Sequence, residues 1–172
     1  AKTERYEIKI EELREATAED KHRVAAESLF REAEELQQGT VEEKRKSVEK
    51  YYEALELYRR VGDRSKEAAM LNKIGWAYKV LGEIWKALET YNEALQINRE
   101  VGDRRGEATV LSGIGGTYWR RGDMQKALEK YNEALQISRA VGDRYREARV
   151  LSNIGFVYWA LGEMRKALDE FN

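Results

Sequence analysis

VGDRRGEATVLSGIGGTYWRRGD, residues 101–123, opens with a four-residue word that also stands at Val61 and at Val141. The interval is 40 residues both times. A catalytic loop is needed once, whereas a word at constant spacing marks the joints between copies of one structural unit. Residues 61–100 and 101–140 align without a gap and agree at 23 of 40 positions. The third copy starts at Val141 and is only 32 residues long at Asn172. A truncated last repeat, and hence a piece of a longer protein, is the expectation.

One copy predicts a helical hairpin. Leu71, Ile74, Tyr78 and Leu81 are spaced as the apolar stripe of an amphipathic helix. Gly82 breaks that stripe, and a second runs through Ile84, Ala87, Leu88, Tyr91, Ala94, Leu95 and Asn98. The word VGDR then falls between hairpins. Its glycine suits the left-handed position that closes a helix, and its aspartate suits the N-cap of the next. A metal-binding role for that aspartate is the alternative, but no second set of ligands accompanies it. Gly75, Ala87 and Ala94 are small where two helices approach, and Ile74, Tyr78 and Tyr91 fill the space around them. Gly115, Ala127, Ala134, Ile114, Tyr118 and Tyr131 repeat the scheme, as do Gly155, Ala167, Ile154, Tyr158 and Phe171. A lone hairpin cannot bury both faces, so the copies must stack.

Composition narrows the chemistry. The net charge is −1, with 37% charged residues, so nothing in bulk electrostatics favours nucleic acid or an anionic membrane. No run approaches the ~20 apolar residues of a membrane span, and AKTERYEIKI has no apolar signal core. Without cysteine there is no thiol chemistry; this fits a reducing cytosol, and the chain is read as cytoplasmic. The single histidine, His22, cannot build a zinc site and is expected on an exposed helix start. Acidic residues interleave with Lys and Arg, the pattern of a solvated helix face with i,i+4 pairs. SGIGGT, residues 112–117, invites a phosphate-loop reading, but such a loop follows a strand and opens a helix. Here the run lies inside a helical repeat. Gly113 and Gly116 are extra to the packing glycine, each costing about 1 kcal/mol in a helix, and are put down to drift. No catalysis, metal or cofactor is expected.

The ends are less regular. Thr17 with Asp20 forms a candidate cap for a first helix. Gly39 stands 12 residues before Tyr51, where later copies have 9, so a turn around Gly39–Lys44 with about three extra residues is expected. Tyr6, Ile8 and Ile10 alternate with charged residues as in a strand, although Tyr6, Ile10 and Leu13 also fit a helix. The expected organisation is an extended segment at 1–16, a degenerate first repeat at 17–60, full repeats at 61–100 and 101–140, and a truncated one at 141–172.

The pattern L-x-x-I-G-x-x-Y-x-x-x-G-x-x-x-x-A-x-x-x-Y-x-x-A resembles the tetratricopeptide repeat, strongly over 61–172 and weakly over 21–60. The ordinary repeat has 34 residues and often closes with proline. This one has 40, with Arg99 and Arg139 near the proline position, and is similar to the long form found in bacterial scaffolds, spindle-orientation adaptors and kinesin light chains. The N-terminal segment resembles one that joins a β domain to the repeats in bacterial proteins with a caspase-like C-terminal domain.

The resemblance implies an all-α, right-handed solenoid of about four hairpins whose first helices line a concave groove. It places Asn72, Lys73, Trp76 and Lys79 there from the first full copy, with Ala69. From the second come Ser112, Gly113, Gly116, Trp119 and Arg120, with Thr109. From the third come Arg149, Asn153, Phe156 and Trp159, with Ser152. Related repeats often carry Asn two residues before the packing Gly. Asn153 keeps it, and Lys73 and Gly113 replace it. Trp76, Trp119, Phe156 and Trp159 either frame a pocket for an apolar side chain or pack on one another. Trp85 is expected to face outward. Lys73, Lys79, Arg120 and Arg149 would steer acidic groups. The implied function is a non-enzymatic interaction scaffold that holds a peptide or helix of a partner protein, with no nucleic acid or membrane partner. The alternatives are self-association through exposed ends, suggested by Leu168, Phe171 and the N-terminal strand, or a regulatory arm of a larger protein such as a caspase-like protease.

Overall fold

The computed structural model describes residues 16–163, 165 and 166. The strand expected around Tyr6–Ile10 lies outside these residues, as do Ala167, Leu168 and Phe171. Among the described residues seven helices follow one another: α1 (Ala18–Leu36), α2 (Val41–Arg60), α3 (Arg64–Leu81), α4 (Ile84–Glu100), α5 (Arg104–Arg121), α6 (Met124–Ala140) and α7 (Arg144–Ala160). They pack as consecutive hairpins, α1 on α2, α3 on α4 and α5 on α6, with each hairpin seated on the next helix. The predicted stripes form the core: Leu71, Ile74, Tyr91, Leu111, Ile114, Tyr131 and Ile154 are all buried.

The repeated word is the joint between hairpins. Val61, Val101 and Val141 are the last helical caps, and the glycines after them have φ of +68°, +72° and +67°. The Gly62 N–H donates to the Arg59 carbonyl and the Asp63 N–H to the Tyr58 carbonyl, a double closure that satisfies the helix end. The same pair recurs at Gly102–Asp103 and Gly142–Asp143. The Asp63, Asp103 and Asp143 carboxylates then accept from the N–H groups of Lys66, Gly106 and Arg146 at 3.1, 2.8 and 3.0 Å. A Cβ at Gly102 would meet nothing within 4 Å, so Gly102→Ala probes the left-handed backbone alone. It is expected to lower stability by about 1–2 kcal/mol in urea unfolding.

The arginine of the word has its own task. Arg64 Nη1 bonds Glu67 at 2.6 Å, and Arg59 Nε, from the preceding helix, reaches the same carboxylate at 2.9 Å. Arg104 and Arg99 bracket Glu107 in the same way, Arg99 at 2.8 Å. The Glu67 and Glu107 side chains are only 6% and 4% exposed. These acids therefore do not lie on the solvated face that was expected. Arg139 meets Glu147 at 2.7 Å across the third joint. Where the ordinary repeat ends in proline, this chain uses an arginine that ties one hairpin to the next. Among the described residues, most ion pairs within a helix follow i,i+3 spacing rather than the i,i+4 expected, with Lys130–Glu129 between neighbours.

The first hairpin departs from the others. Thr17 and Asp20 form the expected capping box, and Thr40 with Glu43 forms a second one at the start of α2. The α1–α2 turn spans four residues, 37–40, against two at 82–83, because α1 ends early. The three extra residues before Tyr51 do not lengthen it; α2 takes them as an added helical turn, 20 residues long against 17 for α4. Gly39 has no positive φ; a Cβ there would collide with the capping Glu43 carboxylate. His22 is half-buried on α1 rather than exposed.

The packing also sets the curvature. The backbones of α3 and α5 approach each other directly, as do those of α5 and α7, whereas those of α2, α4 and α6 are held apart by the helices between them, α2 reaching α4 through the long Arg59–Glu93 ion pair at 2.6 Å. Helices in mutual contact lie on the inside of the bend. The α3–α5–α7 face is therefore the concave one.

Candidate functional site

A cavity of about 540 Å³ runs along the concave face, from the end of α1 to α7. Asn72, Lys73, Trp76 and Lys79 of α3 line it, with Ser112, Gly113, Gly116, Trp119 and Arg120 of α5 and Arg149 and Asn153 of α7. Phe156 and Trp159 are exposed on α7 outside this lining. Ala69 opens instead into a second cavity of about 320 Å³, beside Phe30 and Tyr58. Trp85 faces out from α4, with the Arg121 guanidinium 5.2 Å above its ring.

The floor of the main cavity explains the additional glycines. A Cβ on Gly113 would lie 2.7 Å from Cζ of Tyr91, and one on Gly75 2.8 Å from Cδ1 of the same ring. Gly113 is thus a close-packing position, not drift. Gly115 stands in the same relation to Tyr131, at 2.8 Å, and a Cβ on Gly116 would sit 3.3 Å from the Tyr131 hydroxyl. Tyr91 and Tyr131, assigned by their spacing to the core, also form part of the cavity lining. So do Glu34, Gln37, Gln38 and Arg146, which the sequence reading missed. Glu34, Gln37 and Gln38 lie in or beside α1, where the repeat signal is weakest.

The cavity is cationic, with Trp76 and Trp119 among its lining residues. Lys73, Lys79, Arg120, Arg146 and Arg149 line it against one acid, Glu34. Glu34 is already engaged, by Lys73 Nζ at 2.9 and 3.0 Å and by the Tyr51 hydroxyl. Arg146 pairs with Asp143 at 3.3 Å. Lys79, Arg120 and Arg149 make no ion pair with a described carboxylate. Burial, reinforced by the positive charges of Arg120 and Arg149, lowers the Lys79 ammonium below its ordinary value. Burial pushes the Tyr131 phenol up to about 12, and burial with the neighbouring Tyr131 raises Tyr91 further. Both phenols are therefore neutral donors near pH 7. The arrangement can bind and orient an acceptor.

Among the described residues, no group of three or more His, Cys, Asp or Glu could hold a metal ion, and no helix is long and apolar enough to cross a membrane.

The fold is shared with solved structures of low sequence identity. Aspartyl phosphate phosphatase F from Bacillus subtilis matches with a TM-score of 0.77 at 17% identity, over 90% of this chain and 40% of that one. The Rap conjugation gene regulator of plasmid pLS20, in complex with the Phr* peptide, matches with a TM-score of 0.68 at 18% identity, over 89% and 40%. BtubC (BKLC) from P. vanneervenii matches with a TM-score of 0.56 at 20% identity, over 90% and 71%. The sequence matches none of the curated proteins. The tetratricopeptide repeat model matches residues 42–100 and 106–172. With its hairpins, its glycine–aspartate joints and its small-residue helix contacts, this chain belongs to the tetratricopeptide repeat family.

Proposed function

We propose that the chain is a cytoplasmic protein-interaction module that holds a peptide or helix of a partner in its concave groove. The observation that carries this reading is the convergence of eleven expected groove residues on one cavity, with two exposed tryptophans on its walls. A cavity of this size suits a short segment of a partner, and tryptophan and arginine are preferred anchors of binding hot spots. The peptide-bound Rap regulator, similar in fold, gives the reading a precedent.

Panning a random peptide library on the chain tests it. Trp76→Ala/Trp119→Ala is expected to weaken the selected peptides at least tenfold in fluorescence anisotropy. Trp85→Ala, on a tryptophan outside the cavity, is the control and should leave affinity unchanged. Equal binding by all three proteins would move the site off the concave face.

A further inference from the structure

The repeats treat one tyrosine in two ways. Tyr51, Tyr91 and Tyr131 occupy the same place 40 residues apart, and all are more than nine-tenths buried. In the first, the hydroxyl donates to the Glu34 carboxylate, which Lys73 holds at 2.9 Å. In the other two, the hydroxyls open onto the cavity and no described protein group accepts from either. A lysine accompanies them as well. A Cβ on Gly116 would lie 3.3 Å from the Tyr131 hydroxyl and 3.6 Å from Lys79 Nζ. One carboxylate can therefore accept from both groups with hydrogen bonds of about 2.8 Å. Arg120 and Arg149 line the same space and act electrostatically on the Lys79 ammonium.

We propose that Lys79, Tyr91, Tyr131, Arg120 and Arg149 form a receptor for side-chain carboxylates of an acidic segment in the partner protein. An incoming carboxylate takes the part in the second and third repeats that Glu34 plays in the first. This rests on the groove reading above and names the chemistry of its ligand. Lys79 is half-buried with the exposed Arg120 and Arg149 as like-charged neighbours, and the two hydroxyls face the cavity with an open donor; a cation drawn partly out of water without counter-charge is costly. A carboxylate relieves both, because it brings charge and only acceptors. An amide brings donors towards groups that already donate. Gly116 leaves the room, and the second copy has no counterpart of the Lys73 ammonium, since Gly113 stands at its place.

Three acetylated probes separate the sources of a carboxylate: tetraglutamate amide, tetraglutamine amide, and tetraglutamine with a free C-terminus. Inorganic phosphate is the fourth, and all are titrated at one ionic strength while the Gly113 and Gly116 amide resonances are followed. Tetraglutamate amide is expected to shift both and to bind at least tenfold more tightly than tetraglutamine amide. Lys79→Met is expected to weaken it about tenfold, and Tyr131→Phe, which keeps the ring, severalfold. Lys86→Met, outside the cavity, should change nothing. Circular dichroism establishes that each variant is folded. Equal binding of the two amidated peptides would overturn the proposal. So would binding confined to the free C-terminus, tighter binding of phosphate, or indifference to both Lys79→Met and Tyr131→Phe. Library peptides that need Trp76 and Trp119 but carry no acid would leave the groove reading standing and remove this one.

Discussion

Tyr91→Ala is expected to cost about 3–5 kcal/mol of stability. The ring comes from α4, is 1% exposed, and fills the space between Gly75 of α3 and Gly113 of α5. Two helices, α3 and α5, rest on it. The void left by alanine cannot be closed from either side, because glycine has no side chain to relax into it. Tyr91→Phe is expected to be nearly neutral, since that hydroxyl faces the cavity without a protein partner. Tyr51→Phe should cost more than Tyr91→Phe, about 1 kcal/mol, because it removes a hydrogen bond to the half-exposed Glu34 carboxylate. Urea unfolding of the three variants checks the order. A loss for Tyr91→Ala no larger than that for Tyr91→Phe would show that the ring does not bridge the helices.

The second large effect lies at the joints. Arg99→Ala/Arg104→Ala is expected to cost about 3 kcal/mol, because it strands the Glu107 carboxylate, 4% exposed, without a counter-charge. The converse change, Glu107→Ala, should cost only about 1 kcal/mol. Arg99 and Arg104 are 54% and 55% exposed, so their charges return to water when the acid is gone. The asymmetry is the test. If removing the acid cost more than removing both arginines, Glu107 would be contributing through packing rather than as the charge the arginines neutralise.

Both effects grow from residues whose type was plain in the sequence and whose role was not. Gly113 looked like a stray helix glycine because the ring that needs its space belongs to another helix, 22 residues earlier in the chain. Glu67 and Glu107 looked like two of many surface acids. Each is held by an arginine that reaches across the joint from the preceding helix, eight residues away, and no spacing within one helix encodes that. The first repeat was hardest to read, since Thr40 and Glu43 start α2 a turn earlier than the period predicts.

The sequence by itself determined the hairpins, their joints and the apolar stripe of each helix. These depend on neighbours within one or two helical turns: a glycine free to take positive φ, an aspartate three residues from the N–H it caps, apolar side chains at intervals of three and four. Only the tertiary structure decided where the bend lies and what collects inside it. The chain has a net charge of −1, yet stacking α3, α5 and α7 brings three cations with no carboxylate partner among the described residues into one cavity beside two buried tyrosines. Charge balance is a property of the whole chain, whereas a binding site depends on which side chains the curvature brings within a few ångströms of one another.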